Sequence, residues 1–415
     1  MKKYLDENVY NAAIERFELI FNNFEKIYFS VSFGKDSSVM LQLAIDVAKR
    51  LNKLPVNVLL IDLEAQYNAT IEHAKELLLN DNINAYWVCL PLNLRNSVSM
   101  YQPQWVCWDL KDKEKWVREM PDYDCVISDI DYFPFFKIGM EFEEFVIEFA
   151  KWFAKDKLTA CGVGIRSDES LNRYRTLANK RKIKYNDKIW TTKILDNVYN
   201  FYPIYDWKTQ DIWRCIGKNN YKYNNVYNLM YRQGMSIHQM RICQPYGDDQ
   251  KIGLNLYREL EPEAWSKIVS RVSGVNYGNI YCGTSLMGHR KIILPENHTW
   301  ESYVKFLLET IPNFESQWYK EKFEVFFKWW EKHNFPKEKI PDSNQDIKQD
   351  DLLITDSIKE KYVIYKDKEY YSRGPSWQRL ARCIIKNDRI CKSLSFAQTK
   401  YEYEKWNNYK NIYGI

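Results

Sequence analysis

No stretch of this chain is apolar enough over a sufficient length to suggest a membrane span. Its opening, Met1-Lys2-Lys3-Tyr4-Leu5-Asp6-Glu7, lacks the apolar core of a secretory signal. A cytoplasmic protein with no membrane association is therefore expected. Paired cysteines are missing as well: the nine cysteines, at 89, 107, 125, 161, 215, 243, 282, 383 and 391, include no Cys-x-x-Cys and no adjacent pair. A reducing compartment and mostly free thiols fit that scatter. The alternative is a metal or cluster site assembled from Cys243, Cys282, Cys383 and Cys391, but no iron–sulfur cluster is expected. Internal repeats and low-complexity tracts are absent. Charge of one sign is also scarce, since the formal net charge is only +5. That balance permits contact with nucleotides or nucleic acid without arguing for it.

Aromatic residues, in contrast, are plentiful, with 31 Tyr, 20 Phe and 15 Trp. Tyr and Trp carry polar handles suited to wet pockets and interfaces. A length of 415 residues predicts one large α/β domain and a sizeable helical addition. A helix over 6–24 precedes alternating patterns: strand 27–31, helix 39–49, strand 56–61, helix 70–79, strand 85–90, helix 142–154 and strand 158–163. Such alternation predicts a doubly wound parallel sheet whose ligands bind beyond the strand C-termini. The interruption at 93–140, rich in Trp, Asp, Pro and Tyr, reads either as a lid or binding insertion or as a Trp-pinned cover over the sheet edge. Domains are expected at 1–215 and 216–415, the second a largely helical extension, with a linker or mobile loop at 335–351.

The run Ser32-Phe33-Gly34-Lys35-Asp36-Ser37-Ser38 joins the first strand to the next helix and carries the chemistry. Backbone N–H groups converge at a helix N-terminus, where the dipole favours an anion. Gly34 lets a phosphate approach the backbone, the serines add hydroxyl donors, and Lys35 adds a point charge. The spacing is not the Walker form, because one glycine precedes the lysine and an aspartate follows it. It resembles the PP-loop of the ATP pyrophosphatase superfamily, whose members cleave ATP between the α and β phosphates or bind adenylyl sulfates in the same cradle.

A second segment, Gly162-Val163-Gly164-Ile165-Arg166-Ser167-Asp168-Glu169-Ser170 followed by Arg173, ends the strand at 158–163. Arg166 is suited to paired hydrogen bonds with phosphate or sulfate oxygens. Asp168 and Glu169 either hold Mg²⁺ indirectly or orient Arg166 and Arg173, and Asp36, which lies within the loop, is a better metal or phosphate-shell candidate than Asp62 or Glu64. A third segment places Asp62 and Glu64 where an adenosine would rest, able to bond a ribose, approach a metal, or merely cap the next helix.

With Tyr202-Pro203-Ile204-Tyr205-Asp206-Trp207-Lys208-Thr209-Gln210-Asp211-Ile212-Trp213, these motifs resemble the phosphoadenosine phosphosulfate (PAPS) reductase family across roughly 25–220. The resemblance implies an adenine nucleotide α-hydrolase-like fold. It also implies nucleotide binding by Ser32, Phe33, Gly34, Ser37, Ser38, Asp62, Gly164 and Arg173, with Lys35, Asp36 and Arg166 catalytic. The segments around Val226-Tyr227-Asn228 and His238 to Gln250 are similar to an IbrA-type branch whose C-terminal half is of unknown function and which is often encoded beside a ParB-like partner. One departure matters. The Glu-Cys-Gly-x-His segment of true PAPS reductases is missing, so sulfonucleotide reduction, which would fall to Cys243 beside Arg241, is disfavoured. The expectation is an enzyme that cleaves Mg-ATP to adenylylate an acceptor near Arg173, His238, Arg241 and His289-Arg290-Lys291, with nucleic acid one possible acceptor. A nucleotide-binding regulator acting with a ParB-like or DNA partner is the alternative.

Overall fold

The computed structural model describes residues 6–99, 102, 104–178, 182–242, 246, 253–281, 293–332, 356, 360–365, 368–373, 375–386, 388–394, 396 and 400–413. By contacts the chain divides into Met1–Asn279 and Ile280–Ile415. The first of these units includes the described residues between 216 and 279.

In the first unit, helix α1 (Val9–Asn23) leads to β1 (Lys26–Ser30), α2 (Lys35–Arg50), β2 (Val56–Ile61), α3 (Asn68–Leu78) and β3 (Ile83–Val88). A hairpin of β4 (Asn93–Arg95) and β5 (Gln104–Val106), a 3-10 turn at Leu110–Lys115 and β6 (Val126–Ile127) follow. Next come α4 (Phe142–Ala154), β7 (Thr159–Val163), α5 (Leu171–Ala178), β8 (Thr191–Leu195) and β9 (Val198–Phe201). Helices α6 (Thr209–Asn219), α7 (Val226–Arg232), α8 (Leu254–Leu260), α9 (Pro262–Arg271) and α10 (Val275–Tyr281) complete the order.

Seven strands form one sheet in the order β6-β3-β2-β1-β7-β9-β8, parallel except for β8. The doubly wound α/β expectation holds. Tyr28 and Phe29 of β1 are both buried although they face opposite sides, as a strand covered by helices on both faces requires. Helix α4 explains one cover. Phe145, Phe149 and Phe153 recur at four-residue spacing and are buried, with Tyr28 edge-on to Phe149 at 5.3 Å. On the other face α1 buries Ala13, Phe17 and Ile20, and Asn8 caps its start by accepting from Asn11 N–H at 2.9 Å.

The insertion at 93–140 is more regular than its composition suggests, since β6 extends the sheet beyond β3. Helix α2 begins at Lys35, four residues before the apolar pattern starts at 39. Asp206 and Trp207 have structural partners. Arg16 of α1 grips the Asp206 carboxylate at 2.7 and 2.8 Å, and Trp207 donates to the Val9 carbonyl at 2.9 Å.

The second unit contains α11 (Trp300–Thr310), α12 (Asn313–Lys332), the antiparallel hairpin β10 (Glu360–Tyr365) and β11 (Lys368–Arg373), α13 (Trp377–Ile385) and α14 (Lys400–Tyr413). The expected extension is thus mainly helical, with one hairpin. The linker expected at 335–351 lies outside the described residues. Among the described residues no helix is long and apolar enough to cross a membrane.

Candidate functional site

The turn after β1 is held from several directions. Phe33 takes the left-handed backbone region at φ 55°, a conformation that costs a bulky residue about 1–3 kcal/mol unless its surroundings enforce it. They do so here. Its ring is fully buried edge-on to His73 at 5.9 Å, and its carbonyl accepts from Asn224 Nδ2 at 3.1 Å. Gly34 then caps α2 in an ordinary extended conformation, φ −72°. The positive φ therefore falls on Phe33, and Gly34 provides room: an added Cβ would lie 3.3 Å from the Tyr227 hydroxyl.

Lys35, Asp36, Ser37 and Ser38 form the first turn of α2, where the helix dipole favours an anion. Ser37 Oγ donates to the Gly34 carbonyl at 3.2 Å and lies 3.3 Å from Ser32 Oγ. Ser38 Oγ is 2.9 Å from His73 Nε2. Burial pushes the His73 imidazole down to about 4, so it stays neutral beneath the loop near pH 7.

The end of β7 meets this turn directly. A Cβ on Gly164 would fall 2.9 Å from Ser37 Cα, so only glycine allows that approach. Arg166, 2% exposed, donates from Nε to Asp36 Oδ1 at 2.6 Å, and Lys35 Nζ lies 3.3 Å from Asp36 Oδ2. Two cations thus flank one carboxylate at a helix N-terminus. Asp36 orients Arg166. Asp168 is exposed, while Glu169 pairs with Arg173 at 3.0 Å and its carbonyl accepts from Arg241. Arg173 and Arg241 are therefore neighbours, and His238 lies 3.3 Å from Gln210 Nε2. Cys243 and His289-Arg290-Lys291 lie outside the described residues.

One partner of the loop escaped the motif reading. Tyr227 of α7, 2% exposed, accepts the Lys35 N–H at 2.9 Å, and its ring lies 5.4 Å from Lys35 Nζ. Lys35 Nζ also reaches the Met240 carbonyl at 3.3 Å. These partners are 192 and 205 residues away in sequence, so local spacing gives no sign of them, although the segment around Tyr227 stood out as distinctive.

The expectation for Asp62 and Glu64 needs correcting. Both are fully buried and pinned within the protein, so neither carboxylate is presented to a ribose or a metal. Asp62 accepts from Arg118, from Trp87 Nε1 at 2.9 Å and from the Glu64 N–H at 2.9 Å. Glu64 accepts from the Trp108 and Val117 amides at 2.7 and 2.9 Å and pairs with Arg271 at 2.9 Å. Burial raises the Glu64 carboxyl above its usual range, and Arg271 with the two amides opposes that rise. Among the described residues no three metal-ligating side chains cluster, and both Asp36 oxygens already face cations.

Residues 26–234, which span the sheet, the loop and Tyr227, match the Phosphoadenosine phosphosulfate reductase domain. This chain belongs to that family. Beyond the PAPS reductase domain, residues 234–405 match the Domain of unknown function (DUF3440). The chain is 39% identical over 409 residues to "Uncharacterized protein YbdN" of Escherichia coli (strain K12), covering 96% of this chain and 93% of that protein. Distant structural likenesses include the PAPS reductase of Candida auris in a phosphate complex, at 13% identity and TM-score 0.30 over 55% of this chain and 93% of that one. The FMN adenylyltransferase of Candida glabrata is similar at 15% identity and TM-score 0.31, over 54% of this chain and 62% of that one. The PAPS reductase resemblance of the three motifs is thus borne out, whereas the IbrA-type branch rests on its sequence segment alone.

Proposed function

We propose that this PAPS reductase-domain protein cleaves the α–β bond of ATP, taken as its magnesium complex, and transfers the adenylyl group to an acceptor. The acceptor's nucleophile bonds to the α-phosphorus as the bond to the bridging oxygen breaks, and pyrophosphate leaves with that electron pair. The convergence of Lys35, Asp36 and Arg166 on the N-terminus of α2, with Gly164 against Ser37, carries this reading. Phosphate oxygens would replace Asp36 as the partners of Lys35 and Arg166, and backbone amides with Ser32, Ser37 and Ser38 would complete the cradle. No protein nucleophile is needed, because positioning and fixed charge supply the catalysis. Magnesium arrives on the nucleotide, with Asp36 and Asp168 the carboxylates that approach it. The acceptor enters beside Arg173 and Arg241, which Glu169 holds together.

A second reading has one specific observation in its favour. Tyr227 holds the Lys35 N–H, and Asp36 holds Lys35 and Arg166, so the donors of the cradle are already engaged. A regulator that binds nucleotide and signals to a ParB-like or DNA partner would use such a poised loop. Incubation of the purified chain with Mg²⁺ and ATP, and separately with PAPS, decides between them. AMP and pyrophosphate from ATP support adenylyl transfer, whereas tight ATP binding without products supports the regulator. Adenosine bisphosphate formed only from PAPS and a thiol overturns both, and its loss in Cys243→Ser would assign the reductase thiol.

A further inference from the structure

Between β9 and α6 the chain makes a turn, Pro203 to Trp207, that belongs to no helix or strand. Its alternate carbonyls each meet a donor. Pro203 accepts from Arg16 Nη1 at 2.7 Å, Tyr205 from the Ser167 N–H at 2.8 Å, and Trp207 from Arg166 Nη1 at 3.5 Å. The turn therefore connects α1 to the Arg166–Ser167 segment beside the phosphate loop.

With no ladder of its own, the turn takes its position from α1. Arg16 grips the Pro203 carbonyl and both Asp206 oxygens, and its guanidinium lies over the Tyr205 ring at 4.7 Å. A two-bonded arginine–carboxylate pair fixes direction as well as distance. Trp207 adds its indole N–H on the Val9 carbonyl. Helix α1 does not depend on Arg16 for its own place, because Ala13, Phe17 and Ile20 bury its other face completely.

On the far side of the turn, Arg166 donates from Nε to Asp36 and from Nη1 to Trp207, and bonds to two different partners fix the plane of its guanidinium. When phosphate oxygens displace Asp36, the Trp207 carbonyl is the contact that goes on orienting Arg166. That bond is at the limit of hydrogen-bond length, so an outward shift of the turn by about a tenth of an ångström or more breaks it.

We propose that Arg16 is a positioning residue for Arg166, acting through Asp206 and the turn that carries the Tyr205 and Trp207 carbonyls. Its consequence for catalysis rests on the adenylyl-transfer reading.

The test follows binding of inorganic pyrophosphate to the full chain by calorimetry, with the melting temperature as the check on folding. Arg16→Met keeps an apolar stem and removes the guanidinium. It should weaken pyrophosphate about fivefold, the worth of one net hydrogen bond. Arg166→Gln should weaken it by at least about tenfold, the scale for a bond to a charged group. The deciding readout is the double variant, which should bind as Arg166→Gln alone does, because no guanidinium is left to position. A merely structural role for Arg16 would displace Lys35 and Ser37 as well, and its loss would add to that of Arg166→Gln. Asp206→Asn, which keeps the shape of the side chain, carries the same cycle where Arg16→Met fails to fold. Additive losses, or full affinity in Arg16→Met or in Arg166→Gln, overturn the positioning role while leaving a working cradle. Absence of pyrophosphate binding by the unaltered chain rejects the cradle itself, and the positioning role with it.

Discussion

Lys35 concentrates three interactions on one residue: its amide meets Tyr227, its ammonium meets Asp36, and it reaches the Met240 carbonyl. Lys35→Ala removes the charge but leaves Asp36 paired with Arg166. Pyrophosphate release from Mg-ATP should therefore fall by at least about 10²-fold, the scale of losing one preorganised charge donor, while circular dichroism stays unchanged. Unaltered release would sink the adenylyl-transfer reading. Tyr227→Phe makes the opposite prediction. Removing the hydroxyl frees the Lys35 N–H for phosphate, and one net hydrogen bond of about 1 kcal/mol should tighten ATP binding roughly fivefold in calorimetry. His73 sets a pH dependence. Its folded value near 4 lies below the ordinary 6.5, so between these pH values the unfolded chain binds a proton that the native state refuses. Stability should fall as pH drops through that window, by about 3 kcal/mol at its lower end. His73→Gln should flatten the curve of melting temperature against pH.

At the scale of elements, the insertion depends on ions that are fully desolvated. Arg271→Ala would leave Glu64 buried beside the Trp108 and Val117 amides without its cation, a loss of about 3–5 kcal/mol in denaturant unfolding. Arg50→Ala, which breaks a pair with Glu18 that is exposed on both sides, should cost less than about 1 kcal/mol. Comparable losses in the two variants would refute the role given to burial. The same contrast explains what could be read in advance. Strand β2 and helix α4 fall where 56–61 and 142–154 predict them, because their apolar patterns are local. The first turn of α2 is polar, so periodicity misses it, yet tertiary packing buries Lys35, Ser37 and Ser38. Strand β6 is two residues long and pairs only with β3, too little for a pattern. The loop, Gly164 and Arg166 were legible because an anion cradle needs those residue types close together. The fates of Asp62 and Glu64 were not, because Arg118 and Arg271 come from distant sequence.

At the scale of the whole molecule, the second unit has a core of its own. Trp300, Tyr319, Phe323, Leu380, Cys383 and Cys391 pack together, and a hydrogen bond with Cys383, helped by burial, raises the Cys391 thiol far above its ordinary range. Both cysteines are fully buried and pack as small core residues. Among the described residues, the loop at 32–38 and the partners that brace it, His73, Arg166, Asn224, Tyr227 and Met240, belong to Met1–Asn279. Two units with separate cores should unfold in two calorimetric transitions. Mg-ATP stabilises only what binds it, so at a hundred times its Kd it should raise one transition by about 2.7 kcal/mol and leave the other in place. A chain ending at residue 279 should keep the raised transition and bind ATP with unchanged affinity. A single transition in the full chain, or loss of ATP binding on that truncation, would mean that the second unit contributes to the stability of the loop, and the division of labour argued from the separate cores would fail.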